Sequence, residues 1–211
     1  MGPALLVYYH GALPLDYYYL VAKVCLLKKR VIHSVVDNFL FHIPGLSVLL
    51  SSFSGTPGTV SSCTADLQDG NLLGLSPGGV YEAMFSDQKD YKVQWKNRVG
   101  FAKIALEAQV PIIPVFTRNI REAVRTLVPN KKLVKAVYNR FRIPCAPIYG
   151  GWPVKMVTYI GDPIPYDPSK TPEQIRDECK EAIEALIAKH QTKPGSICRG
   201  LYERFTKSHT S

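Results

Sequence analysis

The residues best suited to chemistry are His10 and Asp16, in the stretch Tyr8-Tyr9-His10-Gly11-Ala12-Leu13-Pro14-Leu15-Asp16. An apolar run precedes this stretch and an apolar, helix-like segment follows it, so the histidine and the carboxylate can meet across a strand-to-helix turn. If Asp16 accepts a hydrogen bond from one ring nitrogen of His10, the other nitrogen is left as a base, which is half of the triad logic without its serine. Such a pair takes a proton from a substrate hydroxyl. The competing reading is structural: Asp16 caps a helix that starts near Tyr17, and His10 is the polar end of a strand.

For the pair to act, the chain must bring a strand end and a helix start together. Residues 4–9 form a short, continuous apolar run, the pattern of a central strand covered on both faces. Residues 17–29 read as a helix, apolar nearly all round, and 30–36 as a second strand. Residues 39–52 read as a helix bent at Pro44-Gly45, and 51–60 as a Ser/Gly/Pro-rich loop. A short helix over 61–69 and a third strand over 72–75 lead into Ser76-Pro77-Gly78-Gly79. Residues 86–97 are turn-like, 101–108 helical, and 110–116 a fourth strand bounded by prolines. A further strand is expected over 154–160, and a connector rich in proline over 162–172. Thr171 then caps a helix with Pro172 at its first position, running to about His190, and residues 195–206 form a last short helix. Strands alternating with helices predict an α/β fold, a three-layer αβα sandwich with a mostly parallel central sheet.

The bulk numbers bound the function. A chain of 211 residues fits one domain, large enough to bury about 70% of its unfolded surface. The 26 Lys and Arg against 17 Asp and Glu give a net charge of +9, which points to an anionic partner. Beyond Thr117 the basic residues Arg118, Arg121, Arg125, Lys131, Lys132, Lys135, Arg140 and Arg142 read either as a solvated face or as an anion-binding one. Nucleic acid is disfavoured, because the tyrosines sit beside apolar runs rather than among the basic residues. The five cysteines, Cys25, Cys63, Cys145, Cys179 and Cys198, are odd in number and show no metal-ligand spacing, so a reducing setting and no metal are expected. No apolar run reaches the roughly 18 residues of a membrane span.

Gly74-Leu75-Ser76-Pro77-Gly78 matches the G-x-S-x-G nucleophile elbow. The residue after the serine would have to lend its N–H to an oxyanion, and here it is proline, which has none. A serine hydrolase is therefore disfavoured. The same loop has a positive reading, in which Gly78 and Gly79 let backbone approach a ligand and Glu82 binds a hydroxyl or pairs with a base. It also has a plain one, a strand-ending turn. Both His10 and this loop fall at the carboxyl ends of predicted parallel strands, where open α/β sheets place ligands.

Several blocks taken together resemble one family. They are Tyr9 to Asp16 as quoted above, Ser76-Pro77-Gly78-Gly79-Val80-Tyr81-Glu82-Ala83, Asn97-Arg98-Val99-Gly100-Phe101-Ala102, Val110-Pro111-Ile112-Ile113-Pro114-Val115-Phe116, and Gly161-Asp162-Pro163-Ile164-Pro165-Tyr166. The chain is similar to the glycerolipid acyltransferases with a His-x-x-x-x-Asp motif, in the neutral-lipid branch related to diacylglycerol acyltransferase 2. That resemblance implies acyl transfer from acyl-CoA, a co-substrate rather than a bound cofactor, to a glyceride hydroxyl, with His10 as base and Asp16 orienting it. It implies substrate-binding roles for Pro77, Gly78, Gly79, Glu82 and Arg98, and a place on the cytosolic face of the endoplasmic reticulum membrane.

Three departures from the family pattern shape the expectation. In the common loop motif Phe-Pro-Glu-Gly-Thr-Arg, Gly78 stands where the glutamate would be and Tyr81 where the arginine would be. Loss of that guanidinium removes the group best suited to a phosphate, so the expected acceptor is neutral, monoacylglycerol or diacylglycerol. Five residues rather than four separate His10 from Asp16. Relatives also carry apolar membrane segments before the histidine motif, and none is expected here. The alternative is a short form of the same fold with impaired catalysis that binds lipid or a membrane surface.

Overall fold

The computed structural model describes residues 2–36, 55–128, 130–141 and 146–206. In chain order, strands β1 (Ala4–Tyr8), β2 (Ile32–Val36), β3 (Gly55–Pro57), β4 (Leu72–Leu75), β5 (Ile112–Arg118) and β8 (Val157–Ile160) make one sheet, and β6 (Val124–Thr126) with β7 (Ile148–Gly150) a separate pair. The helices are α1 (Leu15–Lys28), α2 (Val60–Gln68), α3 (Gly79–Phe85), α4 (Gly100–Ala108), α5 (Ile120–Ala123), α6 (Lys131–Phe141), α7 (Pro172–His190) and α8 (Ile197–Phe205).

The main sheet runs in the order β3-β2-β4-β1-β5-β8. Its pairings are parallel except for β8, which lies antiparallel on the edge against β5. Side chains alternate across a strand, and β1 shows the consequence. Leu5, Val7 and Tyr9 face a large core shared with α2, α4 and α7, through residues such as Leu67, Phe101, Ala105 and Ile183. Leu6 and Tyr8 face the other way, against Tyr17, Leu20 and Val21 of α1. Every residue of β1 is therefore buried, which explains a run with no polar alternation. The result is the predicted three-layer α/β sandwich.

Helix α7 begins as its sequence dictates, with Pro172 at the first position and a reciprocal capping box between Thr171 and Gln174. Other expectations shift. Helix α1 starts at Leu15, so Asp16 lies inside the first turn; the capping position is Pro14, with no side-chain cap. Residues 55–57, expected to be loop, add an edge strand to β2, a place where a proline is tolerated. The last strand is confined to Val157–Ile160, because Val154 packs instead with Ala12, Ala123 and Leu201. The helix expected over 39–52 lies outside the described residues, as does Arg142. Among the described residues, no helix is long and apolar enough to cross a membrane.

Candidate active site

The chain leaves β1 towards β2 on one side and later crosses to β5 on the other, the kind of switch at which open α/β sheets bind ligands. A cleft of about 420 Å³ opens there, at the carboxyl ends of β1, β2 and β4. Tyr8 and His10 come to it from the end of β1, Ser34 from β2, and Ser76 from just after β4. Tyr17 and Tyr18 enter from α1, Gly79 from the start of α3, and Arg98 from the turn before α4.

His10 is held at both ends of its backbone. Its N–H donates to Glu82 Oε2 at 3.2 Å, and its carbonyl oxygen accepts from Arg121 Nη2 at 2.9 Å. The ring is fixed as well, with Nδ1 lying 2.6 Å from the Gly11 carbonyl oxygen. A carbonyl only accepts, so Nδ1 carries the proton of the neutral ring and Nε2 keeps its lone pair. Burial pushes the imidazole pKa down to about 4, only partly opposed by the Gly11 hydrogen bond, while the charge of Arg121 adds to the fall. The ring is neutral at pH 7.

Asp16 does not make the expected hydrogen bond to His10. It is buried, its Oδ1 has no partner, and it does not line the cleft. Burial raises its pKa to about 6, against the pull of hydrogen bonds from the Thr117 hydroxyl and the Tyr17 amide. The helix explains the orientation. Each residue of α1 turns the side chain by about 100°, so the fifth intervening residue carries the carboxylate one step past the position that four would give. Leu15 takes that earlier position and is 46% exposed, whereas Asp16 turns inward to β5.

The Ser76 to Gly79 loop divides between scaffold and cleft. Glu82 is fully buried near the Arg121 charge, and it accepts the backbone N–H groups of His10 and Gln94, the latter at 2.8 Å. A Cβ at Gly78 would run into the Glu82 side chain, so that glycine serves internal packing, and neither it nor Pro77 lines the cleft. Gly79 does line it, in the left-handed region at φ 49, where glycine carries no steric cost. Arg98 also lines it, donating from Nη1 to the carbonyl oxygens of Pro77 and Gly78 at 2.8 and 3.0 Å. Of the five substrate-binding candidates, Gly79 and Arg98 reach the cleft, while Pro77, Gly78 and Glu82 support it from behind.

Sequence reasoning missed Arg121, which it placed in a basic run. The residue is fully buried in α5. Its Nε donates to the Tyr9 hydroxyl at 2.5 Å, and Nη2 reaches the carbonyl oxygens of both His10 and Glu82. Asn119 makes this possible by adopting φ 62 after β5, a conformation asparagine tolerates, and thereby turns the chain inward. One guanidinium thus ties the His10 strand end to the Glu82 helix. Among the described residues, no group of three or more His, Cys, Asp or Glu could hold a metal ion.

No family model matches the chain. Curated proteins do. A Bos taurus protein named "DGAT1/2-independent enzyme synthesizing storage lipids" is 52% identical over 204 residues, covering 97% of this chain and 60% of its own length. A Homo sapiens protein of the same name is 50% identical over 204 residues, covering 97% of this chain and 62% of its own. The chain therefore spans about three fifths of these relatives. Among solved structures, the 1-acyl-sn-glycerophosphate (LPA) acyltransferase PlsC from Thermotoga maritima superposes with a TM-score of 0.55 at 15% identity, covering 89% of this chain and 66% of that one. It shows the shared fold.

Proposed function

We propose that the chain is a glycerolipid acyltransferase akin to the storage-lipid enzymes it resembles, and that it transfers a fatty acyl group from acyl-CoA to a neutral glyceride hydroxyl, monoacylglycerol or diacylglycerol. The observation that carries this is His10: a neutral imidazole at the edge of the cleft, with Nδ1 tied to Gly11 and Nε2 left as the basic nitrogen. Nε2 takes the proton of the glyceride hydroxyl as its oxygen attacks the thioester carbon. The tetrahedral intermediate then expels the CoA sulfur, whose thiol pKa of about 8.5 makes it a good leaving group, and the imidazolium returns the proton to it. No covalent enzyme intermediate is required. Asp16 is assigned a supporting part, tying the first turn of α1, which follows the His10 loop, to Thr117 of β5.

The neutral acceptor follows from Tyr81, which stands where the family pattern has its arginine and is buried against Phe85 and Tyr138. The reaction belongs on a membrane surface, the cytosolic face of the endoplasmic reticulum, where glycerides and acyl-CoA meet. A second reading, a lipid-binding protein of the same fold with impaired catalysis, draws on the missing His10 to Asp16 hydrogen bond. Labelled acyl-CoA transfer on microsomes separates the two. The wild type should acylate monoacylglycerol faster than lysophosphatidate, and His10→Ala should lose about 10²- to 10⁴-fold in rate. Equal, near-zero transfer by both proteins favours the second reading, and faster acylation of lysophosphatidate overturns the neutral acceptor.

A further inference from the structure

The Tyr81 ring collects cations from two other places in the fold. Lys96 Nζ lies 3.7 Å from its centroid and Lys135 Nζ, from α6, lies 5.2 Å from it, both within cation–π reach. Lys96 achieves this from a left-handed backbone at φ 52, which a lysine adopts only where its surroundings impose it. The turn that imposes it closes through the Arg98 N–H, which donates to the Trp95 carbonyl oxygen at 3.2 Å. Two residues after Lys96, the Arg98 guanidinium is pinned to the cleft wall by the Pro77 and Gly78 carbonyls.

All three cations are thus anchored by ring faces and carbonyl oxygens. Among the described residues, no carboxylate lies within ion-pair distance of any of them. Like charges gathered without a counter-ion repel one another, and an anion completes the arrangement. The lysines also lie close to the cleft: Val134, next to Lys135, packs on the same cluster around Tyr81 as Val80 does, and Val80 lines the cleft beside Arg98.

We propose that Lys96, Lys135 and Arg98 form a phosphate-binding strip leading to the cleft mouth, and that it holds the phosphate groups of the acyl-CoA donor. This rests on the acyl-transfer reading above. The donor's shape fits, since a long pantetheine arm separates its phosphates from its thioester. The phosphates must sit outside the cleft while the reacting carbon lies at His10. A bilayer headgroup layer fits less well, because the aromatic ring between the lysines is 4% exposed and has nothing to insert. The strip also explains how the arginine can be absent from position 81: cations reach the same neighbourhood from the Lys96 turn and from α6, on the donor's side of the site.

The test compares wild type, Lys96→Ala/Lys135→Ala, Lys96→Arg/Lys135→Arg and His10→Ala. Free CoA binding is followed by thermal shift, and KM is measured separately for acyl-CoA and for monoacylglycerol. Losing two charge-assisted contacts should weaken CoA binding and raise the acyl-CoA KM by at least tenfold, to about a hundredfold, with the acceptor KM unchanged. The arginine pair should retain most of the affinity, and raising ionic strength should weaken wild-type binding more than that of the alanine pair. His10→Ala should bind CoA normally, so a failure of catalysis is distinguishable from a failure of the strip. The proposal is overturned if the alanine pair, folded by circular dichroism, binds CoA as wild type does. It is equally overturned if that pair loses only flotation with phosphatidylserine vesicles, which would make the strip a bilayer contact.

Discussion

Tyr8 and Tyr9 are neighbours in sequence and lie on opposite faces of the sheet. On its face Tyr9 is enclosed: its hydroxyl meets Arg121 Nε and Ser86 Oγ, and its ring packs against Tyr91 and Phe116. On the Tyr8 face the ring stacks on Tyr17 at 4.3 Å and both line the cleft. His10 follows with its backbone fastened from the closed side by Arg121 and its ring delivered to the open side. Rigidity and access are thus divided between the two faces of one strand.

Breaking the closed face should have the largest effect. Arg121→Met removes a buried guanidinium, leaves the Tyr9 hydroxyl and the His10 carbonyl oxygen without a donor, and takes from the Glu82 carbonyl oxygen one of its two, the Ser86 N–H remaining. A loss of about 3–5 kcal/mol is expected, read by urea denaturation, with acyl transfer falling alongside because His10 loses its anchor. His10→Ala, on the open face, should cost activity with little stability. A stability loss below about 1 kcal/mol for Arg121→Met would mean that the lock is not what holds this face.

A subtler break uses pH, because His10 and Asp16 titrate in opposing senses. The folded-state pKa of Asp16, about 6, lies above its ordinary value of 3.8. Its contribution is full below 3.8 and is lost as pH rises through 6. That of His10, about 4, lies below its ordinary 6.5. Its contribution is full above 6.5 and is lost as pH falls towards 4. Between pH 4 and 6.5 the two slopes oppose, so these groups leave the wild type nearly flat. Asp16→Asn should uncover a loss of stability on acidification and His10→Gln a gain, each up to about 3 kcal/mol. Denaturation midpoints at several pH values check both, and parallel curves for the two variants would refute the pairing of opposed shifts.

What the sequence disclosed divides along similar lines. The unbroken apolar run of β1, the Thr171-Pro172 helix start and the glycine loop after β4 are local signals, and each appears where expected. His10 at a strand end was legible for the same reason. The direction of Asp16 was not, because it depends on α1 starting at Leu15, and one step on a helix separates the cleft mouth from the interior. Arg121 was hidden more deeply. Its partners Tyr9, His10 and Glu82 lie 112, 111 and 39 residues away, and a basic run carries no mark of which member is buried. The setting of Glu82 was hidden in the same way, since the His10 and Gln94 amides that it accepts come from other segments of the chain.

The smallest effect sharpens the contrast most. Tyr17→Phe deletes one hydrogen bond, between the Tyr17 hydroxyl and Ser34 Oγ at 2.9 Å, and keeps the stacked ring. Ser34 lines the cleft, so water can replace the lost partner, and the change should cost about 1 kcal/mol or less. Tyr9→Phe deletes the same atom on the closed face, where Arg121 Nε and Ser86 Oγ meet it in the buried core. There no water is at hand, and leaving a buried charge short of an acceptor should cost about 2–3 kcal/mol. Thermal melts of the two single variants make the comparison directly, and equal shifts would erase the distinction between a sealed face and an open one.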